Sequence, residues 1–202
     1  MNRSPLTIAT AQSHVSADVR ENGREIRRLM RQARSGGACL AHFPEGALSG
    51  YTKSQINDWG QVDWGALGDE LRRTVALAGE LGLWVVFGCN HRLTPPHRPH
   101  NSLYVISDRS ELVNRYDKRF LSHTEVTRFY TPGKGACVFE VLGWRFGCAL
   151  CIEIQFDEDE GHLRLDCRED EYIHIRDLVV YGASAADRLE PFIEGIGLPV
   201  VG

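Results

Sequence analysis

Residues 38–45 read ACLAHFPE: a mostly apolar run of strand length, then a proline, then a carboxylate. Proline fixes φ and biases the residue before it toward extended backbone, so a strand over Ala38–Phe43 ends at Pro44 and leaves Glu45 just beyond it. Upstream, Leu6 to Gln12 alternates as a strand, and Asp18 with Glu21 three residues later has the spacing of a capping box. The helix it opens runs to about Arg34, with Val19, Ile26, Leu29, Met30 and Ala33 on one stripe and Gly36-Gly37 as its stop. Downstream, a polar, glycine-containing stretch to about Asp63 reads as a loop. Leu67, Leu71, Val75, Ala78 and Leu81 then mark a second amphipathic helix, and Leu83 to Phe87 is strand again.

His91 to His100 holds three prolines and three histidines. Its proline content and the lack of a second ligand cluster nearby favour a surface loop over a metal site. Ser102–Ile106 and Leu112–Tyr116 read as a hairpin across Ser107–Ser110, and Cys137–Val141 with Arg145–Leu150 as another around Gly143. Helices interleaved with strands, followed by strands that pair in sequence, predict an α/β layered fold with a mixed sheet covered on one face by helices.

The 202 residues suffice for one well-buried core, and 43% apolar with 25% charged residues is a globular composition. A net charge of −4 gives no electrostatic footprint for nucleic acid or an anionic membrane, so a small-molecule partner is expected. No run of eighteen apolar residues and no signal-peptide h-region is visible, which makes the cytoplasm the expected address. Six scattered cysteines are expected to be reduced thiols. Cys148 and Cys151 form a CxxC, but a redox pair wants a helix starting at the first cysteine. Here Arg145–Leu150 reads as a buried strand.

Three reactive side chains follow strands: Glu45 after Ala38–Phe43, Lys118 after Leu112–Tyr116 and Cys151 after Arg145–Leu150. Strand ends are where sites gather in α/β folds. The words around them, HFPEGALSGY, YDKRFL with a downstream FYTPG, and FGCALCIEIQF, occur in that order, and Asn22 and Asn101-Ser102 fit the same pattern. Together they resemble the signature segments of the nitrilase superfamily of carbon–nitrogen hydrolases, over about residues 6 to 156. The resemblance implies an α-β-β-α layered sandwich and a Glu45–Lys118–Cys151 catalytic trio. It makes Glu125 the second carboxylate that orients substrate and supports the lysine, and Glu153 a structural support at the turn.

The chemistry is coherent on its own terms. A thiol is mostly protonated at neutral pH, so attack on an amide or nitrile carbon needs a base, which Glu45 can be. The oxyanion of the tetrahedral intermediate needs a cation and a backbone N–H, here Lys118 and the Ile152 amide. The resemblance implies a thioester acyl-enzyme on Cys151, with no metal and no organic cofactor required, acting on amide or carbamoyl substrates. Amides are preferred to nitriles because Cys151 lacks the Trp-Glu pair that follows the cysteine in true nitrilases.

After Cys151 the sequence departs from the family. Residues 157–202 carry twelve acidic residues against four arginines, a net of −8, whereas residues 1–156 are about +4. This divides the chain into a partial hydrolase domain, 1–156, and a divergent acidic tail, 157–202, expected to pack irregularly, although Tyr172–Tyr181 could form one strand. The second half of the sandwich is expected to be incomplete, which favours a homo-oligomer. The alternative function is an inactive truncated homologue that at most binds ligands or partner subunits.

Overall fold

The computed structural model of the chain describes residues 6–155, 172–177 and 200–201. Among these residues, nine strands and two long helices run in the order β1 (Ile8–Thr10), α1 (Val19–Ser35), β2 (Leu40–His42), α2 (Trp64–Leu81), β3 (Trp84–His91), β4 (His100–Ile106), β5 (Leu112–Asp117), β6 (Val138–Val141), β7 (Trp144–Leu150), β8 (Tyr172–Asp177) and β9 (Val200–Val201). The first sheet has the strand order β5-β4-β3-β2-β1-β9 and the second β6-β7-β8. β1, β2 and β3 are parallel, β3, β4 and β5 form an antiparallel meander, and β7 pairs antiparallel with β6 and parallel with β8. The first sheet is therefore mixed, and the two sheets are those expected of an α-β-β-α layered sandwich.

Period-two alternation separates the layers. Ala41, Val85, Phe87, Tyr104 and Ile106 pack under Ile26, Met30, Ala33, Leu77 and Ala78 of the two helices. Their neighbours Leu40, Val86, Leu103 and Val105 face the other way, against Phe139, Val141, Phe146, Cys148 and Leu150 of the second sheet. Helices cover one face of the first sheet and the second sheet covers its other face.

Both helices begin where an aspartate can satisfy exposed N–H groups. Asp18 accepts from the Arg20 and Glu21 amides at 2.8 and 3.4 Å. The reciprocal half of the expected capping box is replaced, because the Asp18 N–H donates to Ser16 Oγ at 3.1 Å rather than to Glu21. Asp63 accepts from the Ala66 amide at 2.9 Å, which starts α2 at Trp64, three residues before the apolar stripe becomes visible. Gly82 ends α2 with φ +59, a left-handed cap that suits glycine.

His91 ends β3 and His100 begins β4, so the loop is shorter than the histidine and proline tract that marked it. Among the described residues no helix is long and apolar enough to cross a membrane. The expectation of an irregular tail falls outside the described residues, except that 172–177 and 200–201 are strands.

Candidate active site

Glu45 lies on the turn after β2, and β3 grips that turn from both sides. Phe43 N–H donates to Val86 O at 2.8 Å, Gly88 N–H to Pro44 O at 3.1 Å, and Leu48 N–H to Gly88 O at 3.0 Å. Asn22, buried in α1, adds a fourth bond by donating Nδ2 to Leu48 O at 3.1 Å. This close approach requires a glycine: a Cβ on Gly88 would lie 2.6 Å from Glu45 Cα. Gly88→Ala is expected to destabilise the chain by about 1–3 kcal/mol through overpacking against backbone that cannot yield. Gly135→Ala, where an added Cβ meets nothing within 4 Å, is the control. Urea denaturation of the two variants makes the comparison.

Lys118 follows β5 and is held in the same way from the far side. Its N–H donates to Asn101 O at 2.8 Å, and its carbonyl accepts from Gly133 N–H at 2.8 Å. A Cβ on Gly133, the glycine of the FYTPG segment, would come 2.6 Å from the Asp117 carbonyl carbon. The Lys118 side chain is fully buried, with Nζ 2.9 Å from Glu125 Oε1 and 3.5 Å from Glu45 Oε1. Glu125 opens a π-helical turn, Glu125–Phe129, and its Oε2 also accepts from the Ser122 amide at 2.8 Å. Asn101 Nδ2 donates to Glu45 Oε1. Glu45 Oε2 is buried and has no hydrogen-bond partner among the described residues.

The two carboxylates are pushed apart electrostatically. Burial holds Glu45 above the ordinary glutamate range, although Lys118 and the Asn101 amide pull against it. Burial acts the same way on Glu125, but there Lys118 and the Ser122 contacts win and its pKa is lowered. Burial alone would depress Lys118, yet the Glu45 and Glu125 charges outweigh it and keep the ammonium charged. Burial thus biases Glu45 toward its protonated form while Lys118 and the Ser122 contacts bias Glu125 toward its anion, a separation of the kind that distinguishes paired acids.

Cys151 follows β7 and starts a 3-10 turn, Cys151–Gln155. Its φ of +52 is left-handed, costing a non-glycine residue about 1 kcal/mol or more. The half-buried thiol has its pKa raised, by burial first and then by Glu45, while Lys118 and a hydrogen bond from the Ile152 amide oppose the shift. The amide expected to hold an oxyanion therefore faces the sulfur.

Two residues after Cys151, the fully buried Glu153 ties this turn to the Lys118 loop. Its Oε1 accepts from Tyr116 Oη at 2.8 Å, Arg119 N–H at 2.7 Å and Phe120 N–H at 2.9 Å, and its Oε2 from Leu150 N–H at 2.7 Å.

Glu45, Lys118 and Glu125 are in direct contact, and Cys151 lies within their electrostatic reach. Cys148 belongs elsewhere: it is buried between the sheets, and its N–H donates to Cys137 O across β6 and β7 at 3.2 Å. The CxxC is therefore not a facing thiol pair. The bonds of Asn101 and the two glycine seats were not readable as site features, because each acts on a residue distant in sequence.

The carbon–nitrogen hydrolase family profile matches residues 7–167, and the chain belongs to that family. A solved amidase from Nesterenkonia sp. superposes with a TM-score of 0.67 at 22% identity, covering 77% of this chain and 59% of that one. A cysteine-to-alanine mutant of the Nesterenkonia sp. AN1 amidase in complex with butyramide superposes equally well, at 21% identity over 76% of this chain and 58% of that one. In sequence, the chain is 25% identical over 158 residues to the glutamine-dependent NAD(+) synthetase of Acinetobacter baylyi, covering 76% of this chain and 28% of the synthetase. The chain thus spans less than two thirds of the length of these relatives.

Proposed function

We propose that the chain hydrolyses small amide or carbamoyl substrates through a thioester on Cys151. The observation that carries this reading is the buried Glu45–Lys118–Glu125 cluster, in which Glu45 Oε2, without a hydrogen-bond partner among the described residues, is the atom needed to accept a proton. Glu45 takes the thiol proton as sulfur attacks the carbonyl carbon. The oxyanion is stabilised by the Lys118 ammonium and the Ile152 N–H. The intermediate collapses, the leaving nitrogen takes the proton back from Glu45, and ammonia or an amine departs. Water, deprotonated by Glu45, then attacks the thioester, the C–S bond breaks to release the acid, and the departing Cys151 thiolate takes the proton back from Glu45. Glu125 remains ionised throughout, holding Lys118 charged and in place.

Butyramide, bound by the Nesterenkonia amidase mutant, makes short aliphatic amides the first substrates to try. Ammonia release from a panel of such amides, carbamoyl amino acids and nitriles tests the reading. Turnover of an amide that disappears in Cys151→Ala supports it. A panel silent with the intact chain favours the alternative, a ligand-binding homologue without turnover. The pH dependence has a defined sign: Glu45 must be unprotonated and its pKa is raised, so kcat/KM should fall on acidification through a midpoint above the ordinary glutamate range.

A further inference from the structure

We infer that Asn101 is a positioning residue for both Glu45 and Lys118, aiming Glu45 Oε2 at the Cys151 thiol by holding the other carboxylate oxygen. This deepens the amidase reading and rests on it. Asn101 lies in β4 on the inter-sheet side, the side shared by Leu103 and Val105, and is only 2% exposed. Its two ends grip two different site residues. The side-chain Nδ2 donates to Glu45 Oε1, and the backbone carbonyl accepts the Lys118 N–H at 2.8 Å. Glu45 and Lys118 are 73 positions apart, and their own side-chain contact is the longest in the cluster at 3.5 Å. Asn101 therefore ties the two where the direct ion pair is weakest.

The chemistry explains why an amide suits this place. A buried carboxylate with one oxygen left for proton transfer needs its other oxygen fixed by a donor that stays neutral, since a second cation would depress its basicity. An asparagine N–H supplies direction without charge. Its hydrogen bond also limits how far burial raises the Glu45 pKa, so its loss should both loosen the carboxylate and make it harder to ionise.

The test uses the full chain and p-nitrophenyl acetate, whose burst of p-nitrophenolate reports acylation of Cys151. Asn101→Leu keeps nearly the same shape without the donor, Asn101→Gln keeps the donor, and Asn101→Ala replaces the Leu variant if that fails to fold, as judged by thermal melting. We expect the burst rate at neutral pH to fall roughly 10–100-fold in the donor-less variants. The acidic limb of the burst rate should move to higher pH, with at least partial recovery in Asn101→Gln. A donor-less variant that folds and keeps both the rate and the pH profile of the intact chain overturns the Asn101 role while leaving the amidase reading in place. The absence of any Cys151-dependent burst in the intact chain overturns that reading, and the Asn101 role with it.

Discussion

Lys118→Ala is expected to cost about 3–5 kcal/mol of stability and to abolish turnover, because it leaves two carboxylates facing each other without their shared cation. Glu45 and Glu125 are both buried, and Lys118 is the group that pulls both pKa values down. Without it each carboxyl in the folded chain binds its proton at higher pH than in the unfolded chain. The deficit is therefore fully present above those raised values. It shrinks as pH falls through them and disappears below the ordinary glutamate range. Urea denaturation of the intact chain and the variant at neutral and acid pH shows this directly. Adding Glu125→Gln to Lys118→Ala should recover part of the loss at neutral pH, since one of the like charges is gone. A Lys118→Ala variant with unaltered stability at neutral pH would mean that the ion cluster is not buried as described.

The second large effect is expected at Glu153. Four donors converge on its carboxylate, from Tyr116, Arg119, Phe120 and Leu150. Removing the acceptor strands the buried Tyr116 and Leu150 donors at about 1–3 kcal/mol each and leaves the half-buried Arg119 and Phe120 amides without their acceptor. Glu153→Ala should therefore lose more than about 4 kcal/mol, an unusually large effect for one substitution and a large share of a typical 5–15 kcal/mol. Glu153→Gln keeps one acceptor oxygen and should lose less than the alanine variant. Hydrogen exchange separates this from a general loosening: the Arg119 and Phe120 amides should lose protection first in Glu153→Gln, ahead of the α1 and α2 amides. Uniform loss across the chain would remove the specific clamp.

The sequence made Glu45, Lys118 and Cys151 legible for a local reason. Each follows a strand and lies inside its own short word, HFPE, YDKR or ALCIE. Alternation and helical spacing also carried most of the layer order. What escaped was non-local or masked by composition. The start of α2 was hidden because WGALG holds two glycines and a tryptophan, whereas Asp63 as a cap was the usable signal. β3 extends past Phe87 through Gly-Cys-Asn-His, a segment with no apolar run, because its ladder to β4 and its grip on the Glu45 turn sustain it. Asn101 could be noted as part of a pattern, but nothing in its neighbours shows that its two ends reach Glu45 and Lys118. Likewise, nothing in the residues beside Gly88 and Gly133 shows the distant backbones that these glycines admit.

Cys151 is proposed as the nucleophile served by this cluster. Acid-quenched mixtures of the full chain with a small primary amide, digested and mapped by mass spectrometry, test it most directly. An acyl group is expected on the peptide carrying Cys151, and both it and ammonia release should be absent in Cys151→Ala. Ammonia release that persists in Cys151→Ala, or an acyl group found only on another residue, would contradict it.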